Sequence, residues 1–343
     1  MRFLVVLLCA VLALIPIEGR AWTHGQSSSS PSCPQGTSYP DGCSGAPSGT
    51  IQFPSLLSSY VKRPPWNVAG VDYYVGVPAG TTLQDAQTIS MAGVTVTNSP
   101  HKQVKITGNN ITLNAIDFSV NGGYGLYITG NNVTITNSYF KMSSSGGCDP
   151  VQHDSGTGLV LMYDTFDGDS IDDSGCNNIG GLLNLGNGAT IEYCYAFHAF
   201  DDFVDFGLTN VVKYNLFYDN GMVSGPHPDW LQLGGGNYAQ DFEYNTFFQD
   251  VYSLGGSQGV IVAGFGTWTV TNATVSSNTM VATSPGPGGL ITNFIYSPAP
   301  ANLTGSFFAQ HNYLDITGMQ SGPFNKQSGT WSDNWNMKTG GAL

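Results

Sequence analysis

The stretch that decides the fold is "VKITGNNITLNAIDFSVNGG" at residues 104–123, because residues 126–145 repeat it as "LYITGNNVTITNSYFKMSSS". The two ITGNN blocks begin at Ile106 and Ile128, an offset of 22 residues. Short alternating apolar segments bounded by Gly and Asn are typical of β-strands. A unit of this length cannot bury its apolar side alone, so copies must stack to form a continuous core.

The repeat continues along the chain in a looser form. Short segments end in an aromatic residue at Phe118, Phe140, Phe166, Phe197, Phe217 and Phe247. Longer intervals between these positions indicate loops inserted into a base coil of 22 residues. The predicted fold class is all-β, a right-handed parallel β-helix with about 22–30 residues per coil. A globular β-sandwich would leave the offset of the ITGNN blocks unexplained.

The two ends of the chain differ in composition from the repeat. Residues 1–21 predict a secretory signal peptide, in which Arg2 precedes a short apolar run and "GRA" offers a cleavage site. Residues 22–69 are interpreted as a Ser/Gly/Pro-rich leader and N-terminal cap, and residues 70–343 as the β-helix with its C-terminal cap. We therefore expect a secreted or periplasmic protein with no membrane association once the signal is removed.

Charge and cysteine content limit the partners and the covalent structure. The chain of 343 residues has 10 Lys and Arg against 23 Asp and Glu, a net charge of −13. This balance argues against nucleic acid as a partner, because phosphate binding requires clustered cations. Cys33 and Cys43 bracket a short loop and could form a disulfide, whereas the connectivity of the later cysteines is open. We expect a monomer.

Four six-residue segments that each end in Gly predict columns of side chains across stacked coils. They are "GLLNLG" (181–186), "DFVDFG" (202–207), "DWLQLG" (229–234) and "GVIVAG" (259–264). Because side chains alternate along a strand, the alignment predicts two inward columns: Leu183, Val204, Leu231 and Ile261, and Leu185, Phe206, Leu233 and Ala263. It predicts two outward columns: Leu182, Phe203, Trp230 and Val260, and Asn184, Asp205, Gln232 and Val262. An exposed Phe203–Trp230 pair beside Asn184 and Gln232 is predicted to bind sugar rings.

Acidic residues concentrate at the start of these same strands. Asp202 and Asp229 share a column in the alignment, Asp201 is adjacent to Asp202, and His227 precedes Asp229 by two residues. Asp172 and Asp173 belong to the preceding coil. Like charges this close raise one another's pKa unless a cation or water separates them. Clustered carboxylates are the ligands that Ca²⁺ prefers, so calcium is the expected cofactor.

The repeat and its strands resemble the pectate-lyase-like superfamily of carbohydrate-active enzymes over roughly residues 70–330. The stretch "AFDDFVDFG" resembles the Asp-Asp-x-x-Asp calcium motif of family-nine pectate lyases, which maps onto Asp201, Asp202 and Asp205. The resemblance implies calcium-assisted β-elimination of a uronate-containing polysaccharide, with Asp172 or Asp173 as a further ligand. A lysine serves as the base in that family. This chain has none at the expected position, so Lys213 and His227 are the candidates.

Other functions fit the same residues. An inverting glycoside hydrolase would use Asp202, Asp205 and Asp229 with His227 in proton transfer, provided that two carboxyl groups lie roughly 6.5–9.5 Å apart. The Gly-His-Gly and Arg-x-Lys signatures of polygalacturonases are absent. A uronan epimerase shares the fold, and "CDPVQHD" loosely resembles one of its elements. A non-catalytic glycan-binding or adhesive solenoid is the remaining alternative.

Overall fold

A computed structural model describes the residues of the repeat region and of the segment before it. The described ranges are 49–98, 102–141, 150–168, 183–186, 188–199, 204–207, 209–221, 229–233, 237–250, 258–262, 269–283, 293–317, 319 and 322–343. Within them the chain is all-β and winds through three parallel sheets, one strand of each sheet per coil. The predicted parallel β-helix is confirmed.

Each coil passes through a first, a second and a third sheet in that order. The first sheet consists of β2 (Val94–Thr97), β3 (Gln103–Ile106), β6 (Gly125–Ile128), β9 (Val151–His153), β12 (Leu183–Leu185), β15 (Val204–Phe206), β18 (Asp229–Leu233), β21 (Gln258–Ile261), β24 (Ile295–Tyr296) and β27 (Phe324–Asn325). The second consists of β4 (Thr112–Asn114), β7 (Thr134–Thr136), β10 (Val160–Met162), β13 (Thr190–Glu192), β16 (Asn210–Lys213), β19 (Asn237–Glu243), β22 (Thr269–Ser276), β25 (Leu303–Gln310) and β28 (Thr330–Ser332).

The third sheet consists of β1 (Gln84–Asp85), β5 (Ile116–Asp117), β8 (Tyr139–Lys141), β11 (Thr165–Asp167), β14 (Tyr195–Phe197), β17 (Leu216–Tyr218), β20 (Thr246–Gln249), β23 (Thr279–Ala282), β26 (Tyr313–Asp315) and β29 (Trp335–Asn336). Short 3-10 helices cover Ala86–Thr88, Val120–Gly122 and Pro300–Asn302. None of the described helices has the length and apolar character needed to cross a bilayer.

The ITGNN repeat sets the register of the first coils as the sequence predicts. Ile106 pairs with Ile128, and both side chains are fully buried. At the following turn the side chains of Asn109 and Asn131 are hydrogen-bonded at 2.9 Å. Identical turns therefore stack directly, and each adds a polar contact to the apolar core inside the coil.

The corner between the second and third sheets is built in the same way in successive coils. In each of these corners a residue with positive φ is followed by a buried polar or small residue. The positive-φ residues are Asn137, Tyr163, Tyr193, Tyr214, Tyr244, Ser277, His311 and Asp333. Positive φ is uncommon for residues other than glycine. It is compensated here by stacking of Tyr163, Tyr193, Tyr214 and Tyr244 at ring centroid distances of 5.1–5.3 Å.

The buried residues that follow these corners form a ladder of hydrogen bonds along the solenoid. Its members are Ser138, Asp164, Cys194, Asn215, Asn245, Asn278, Asn312 and Asn334. The Nδ2 of Asn215 donates to the carbonyl of Ile191 at 2.9 Å and to Oδ1 of Asn245 at 3.0 Å. Neighbouring members are separated by 21 to 34 residues, so inserted loops change the coil length without disturbing the ladder.

An aromatic column fills the core beneath the third sheet. Phe118 stacks on Phe140 at 4.3 Å, and Phe217 stacks on Phe247 at 5.1 Å. The aromatic repeat predicts that Phe197 belongs to this column, and this prediction is wrong by one residue. Strand β14 puts Ala196 opposite Phe166 and Phe217, whereas Phe197 pairs with Asp167 and Tyr218.

Residues 49–77, here called the strap, run along the outer face of the third sheet. Phe53 packs against Tyr218 and Phe248 at 4.7 and 5.0 Å. The backbone N–H of Lys62 donates to the carbonyl of Met337 at 3.0 Å. The N–H of Val77 donates to Oγ1 of Thr165 at 2.9 Å, so the strap bridges coils from β11 to the last coil.

The two ends of the solenoid are covered by short irregular elements. At the N-terminal end β1 joins the third sheet, and β2 pairs antiparallel with β3 in the first sheet. At the C-terminal end Trp335 bridges Ala342, and the N–H of Leu343 donates to the carbonyl of Asn334 at 2.8 Å. These contacts satisfy backbone groups that an open sheet edge would expose.

Candidate functional site

The outer face of the first sheet carries one column of residues that runs the length of the solenoid. In register, the column contains Lys105, Tyr127, Gln152, Asn184, Asp205, Gln232, Ile261, Tyr296 and Asn325. Lys105 is exposed, and Tyr127, Gln152 and Gln232 are partly exposed. The positions on either side of the column are buried, as Val104 and Ile106 illustrate. We call these nine positions the outward column.

The outward column confirms the predicted alignment of Asn184, Asp205 and Gln232. Asn184 pairs with Asp205, and Asp205 pairs with Gln232, on strands that lie side by side. Adjacent strands in a sheet are about 4.8 Å apart. Three polar residues that are remote in sequence therefore occupy consecutive positions along one line.

The alignment of the next coil was wrong by one residue. Leu231 pairs with Val260 and Gln232 with Ile261, because β21 begins with Gln258 opposite Asp229. Val260 is therefore an inward residue and is fully buried. Ile261 occupies the outward column and is only 3% exposed, so the column is not open to solvent at that coil.

Trp230 is fully buried, and the prediction that it forms an exposed sugar platform is wrong. Its ring stacks on Phe247 at 4.9 Å and on Phe294 at 5.6 Å, inside the core. Gly259 lies between Trp230 and Phe294 in the stack of coils. A Cβ atom at Gly259 would overlap the backbone carbonyl group of Phe294, so the close approach of these two coils requires glycine at this position.

Asp229 and Lys213, both predicted as catalytic residues, lie away from the outer face of the first sheet. Asp229 lies at the start of β18 and is fully buried. Lys213 lies in the second sheet, where its Nζ contacts Asp241 at 2.6 Å and Glu243 at 2.9 Å. Burial lowers the pKa of Lys213, but the two carboxylates outweigh burial and raise it overall. A lysine held in its charged form on another sheet is not a base for this site.

Several predicted site residues lie outside the described part of the chain. They are Asp172, Asp173, Asp201, Asp202, Phe203 and His227. For Asn184 and Asp205 the structure gives the strand position and register. Among the described residues, no three His, Cys, Asp or Glu side chains come together in a way that could hold a metal ion. The predicted calcium set thus depends on the four aspartates that are not described.

The N-terminal part of the outward column contains a polar cluster that the sequence interpretation did not include. Nζ of Lys105 lies 5.2 Å from the centroid of the Tyr127 ring. Nε2 of Gln152 donates to Oδ1 of Asp154 at 2.8 Å. A hydrogen bond between Tyr127 and Asp154 raises the pKa of the Tyr127 hydroxyl. Lys105 and Tyr127 each precede an ITGNN block by one residue, so the repeat itself could have identified them as outward neighbours.

His153 is a further polar side chain near this face, but it points into the core. It is fully buried, pairs with Ile128, and its Nδ1 lies 3.0 Å from the carbonyl oxygen of Gly188. Burial lowers the pKa of the His153 imidazole. A neutral, enclosed imidazole of this kind contributes to packing and does not reach a ligand on the outer face.

Comparison with known proteins adds no closer assignment. No family model, no curated protein and no solved structure matches this chain. The fold therefore rests on the pairing of the strands in the structure itself.

Proposed function

We propose that this protein is an exported polysaccharide-degrading enzyme whose substrate lies along the outward column. The observation that supports this is the register of Asn184, Asp205 and Gln232, which places amide and carboxyl residues on consecutive coils. The coil spacing of about 4.8 Å is close to the length of one sugar unit in an extended glycan. Each sugar can then meet one polar position.

The chemistry proposed for this face is β-elimination of a uronate-containing glycan. The Asp-Asp-x-x-Asp motif supplies Asp201, Asp202 and Asp205, with Asp172 or Asp173 from the preceding coil. Calcium, when bound by such carboxylates, would neutralise the uronate carboxylate and acidify the proton beside it. With Lys213 engaged on the second sheet, His227 is the remaining candidate base. Asp229 is fully buried and therefore is not assigned a role in proton transfer.

The test is incubation with polygalacturonate, alginate and a neutral glucan, each with calcium or with a chelator. We expect an unsaturated product that absorbs in the near ultraviolet, formed from a polyuronate and lost on chelation. Asp202→Asn and Asp205→Asn should each lower the rate at least roughly 10-fold, the loss that follows even when a residue supporting a metal ligand is removed. Asp333→Asn is the matched control, because Asp333 is exposed at a corner of the last coil.

Two results would contradict the lyase. New reducing ends without ultraviolet absorbance would identify an inverting hydrolase that uses the same aspartates. Retained glycan binding with no product in any condition would identify a non-catalytic glycan-binding solenoid. Full activity in both Asp→Asn variants would show that the Asp-Asp-x-x-Asp motif does not take part in the reaction.

A further inference from the structure

The outward column is accessible at its N-terminal end and interrupted just beyond Gln232, although Tyr296 and Asn325 past the interruption are also partly exposed. Ile261 is buried on the C-terminal side of Gln232, whereas Lys105, Tyr127 and Gln152 are exposed or partly exposed on the other side. A glycan that runs from the acidic motif toward Lys105 meets the accessible Gln152, Tyr127 and Lys105 without crossing the buried Ile261. Binding positions beyond the acidic motif are to be found in that direction.

Charge on this surface changes sign along the same line. Among the nine positions of the outward column, Lys105 is the one with a cationic side chain. The chain as a whole carries a net charge of −13, and the motif at residues 201–205 contributes three carboxylates. An anionic glycan would be repelled by most of this protein, so a local cation has a strong effect on where its carboxylates bind.

The side chains around Lys105 are held together by contacts across three coils. Tyr127 lies beneath the Lys105 ammonium group and is hydrogen-bonded to Asp154, and Gln152 donates to the same carboxylate. These contacts reduce the rotamer freedom that long polar side chains lose when a ligand binds. The cluster presents a cation at one end and a hydrogen-bond-accepting carboxylate at the other.

We infer that Lys105, Tyr127, Gln152 and Asp154 form a distal subsite that selects a uronate unit of the glycan. This inference rests on the proposed function, since it assumes that a glycan lies along the outward column. Lys105 pairs with the sugar carboxylate, and Asp154 accepts from sugar hydroxyls. Lys105 is four strand spacings from Asp205, about 19 Å at about 4.8 Å per strand, so only oligomers of several units reach both.

The experiment is titration calorimetry with polygalacturonate oligomers and with their methyl esters, in chelator so that no turnover occurs. We compare the wild-type protein, Lys105→Gln and Lys141→Gln. Lys141 is the matched control, because it lies on the third sheet and contacts Asp167 at 3.5 Å. Lys105→Gln should weaken binding of the free acid roughly threefold, as loss of one exposed ion pair does. Binding of the methyl ester should not change.

Two further measurements make the result decisive. The difference between wild type and Lys105→Gln should vanish at about 1 M salt, where the screening length is roughly 3 Å. Lys105→Gln should retain the far-ultraviolet circular dichroism of the wild type, because the Lys105 side chain is exposed.

The outcomes separate this inference from the proposed function. Equal affinity of wild type and Lys105→Gln for the free acid overturns the subsite while leaving the lyase intact. Equal losses in Lys105→Gln and Lys141→Gln also overturn it, because the effect is then one of net charge. Absence of binding and of turnover with every glycan overturns the proposed function and the subsite together.

Discussion

Asp164 occupies a ladder position that later coils fill with Asn215, Asn245 or their equivalents. Its Oδ1 accepts from the N–H of Ser138 at 2.8 Å, as an asparagine Oδ1 does in this ladder. Its Oδ2 has no hydrogen-bond partner among the described residues, at the place where Asn215 has an Nδ2 that donates to a carbonyl. Burial raises the pKa of Asp164 well above its usual value. Burial thus favours the neutral acid over the carboxylate at a position where later coils have a neutral amide.

Replacing this acid by the amide should stabilise the protein. In Asp164→Asn the new Nδ2 can donate to the carbonyl of Ile135, the equivalent of Ile191 in the later coil. A raised folded-state pKa contributes stability that is present below the unfolded-state pKa and lost as pH rises. The gain in free energy of unfolding should therefore grow with pH, reaching about 1 kcal/mol at pH 8. Urea unfolding measured from pH 4 to pH 9 checks it.

The reciprocal substitution is the control for this prediction. Asn245→Asp places a carboxyl group in an equally buried position, and the protein should lose stability progressively as pH rises. If Asp164→Asn is less stable than wild type at every pH, the interpretation of Asp164 as a neutral substitute for asparagine is wrong.

At the scale of the strand, Trp230 has a structural role. It is enclosed by Phe247 and Phe294 and belongs to the main core. Trp230→Ala should lower the free energy of unfolding by about 3–5 kcal/mol, as large-to-small changes in cores do. Denaturant titration measures the loss. If the variant kept its stability but bound glycan more weakly, the result would instead support the prediction that Trp230 is an exposed sugar-binding platform.

The strands also show where the sequence could and could not set the register. Coils with the tandem Asn turn were placed correctly, because a one-residue slip there would move Ile128 to solvent and misalign Asn131. The segment "GVIVAG" is apolar at nearly every position, so alternation does not distinguish its two faces, and the prediction slipped by one residue. Trp230 was misplaced because it lies at the start of its strand, where it and Leu231 are both buried.

For the candidate site, the sequence predicts which residues share a column but not which charged side chains become neighbours. The column through Asn184, Asp205 and Gln232 follows from equal segment length and the closing Gly. The ion partners of Lys213 could not be predicted, because Asp241 and Glu243 become its neighbours only through a coil 30 residues long. A side chain's neighbours in the next coil depend on loop length, which periodicity alone does not give.

At the scale of the whole molecule, the strap is a separate stabilising layer. It buries Leu57, Val68 and Val71 against the outer face of the third sheet, in one cluster with Phe248 and Val281. Without it, that apolar face would be open to solvent. Exposed apolar surface of this kind promotes association between molecules.

Loosening the strap should open it before the solenoid unfolds. In Leu57→Ala the lost packing should cost about 2–5 kcal/mol. The amides of Lys62 and Gly76, which bond to Met337 and Tyr193, should exchange with solvent faster. Ladder amides such as that of Asn245 should keep their protection. Hydrogen exchange read by mass spectrometry checks both, and Val61→Ala is the control, because Val61 is 77% exposed on the same segment.

Uniform loss of protection across the strap and the ladder would contradict this prediction. The strap and the solenoid would then unfold as a single cooperative unit. A faster exchange in Val61→Ala equal to that in Leu57→Ala would show that chain flexibility, and not packing of Leu57, controls the opening.

The strap has a consequence for how a nascent chain acquires its shape. Coils of a solenoid contact mainly their neighbours, so they can form one after another as the ribosome delivers them. Tyr60, however, donates to Asp315, 255 residues later. The strap is synthesised before the coils, but it cannot complete its contacts until β26, near the C-terminus, has been synthesised and folded. This high contact order predicts a slow final step, in which the strap closes over coils that have already formed.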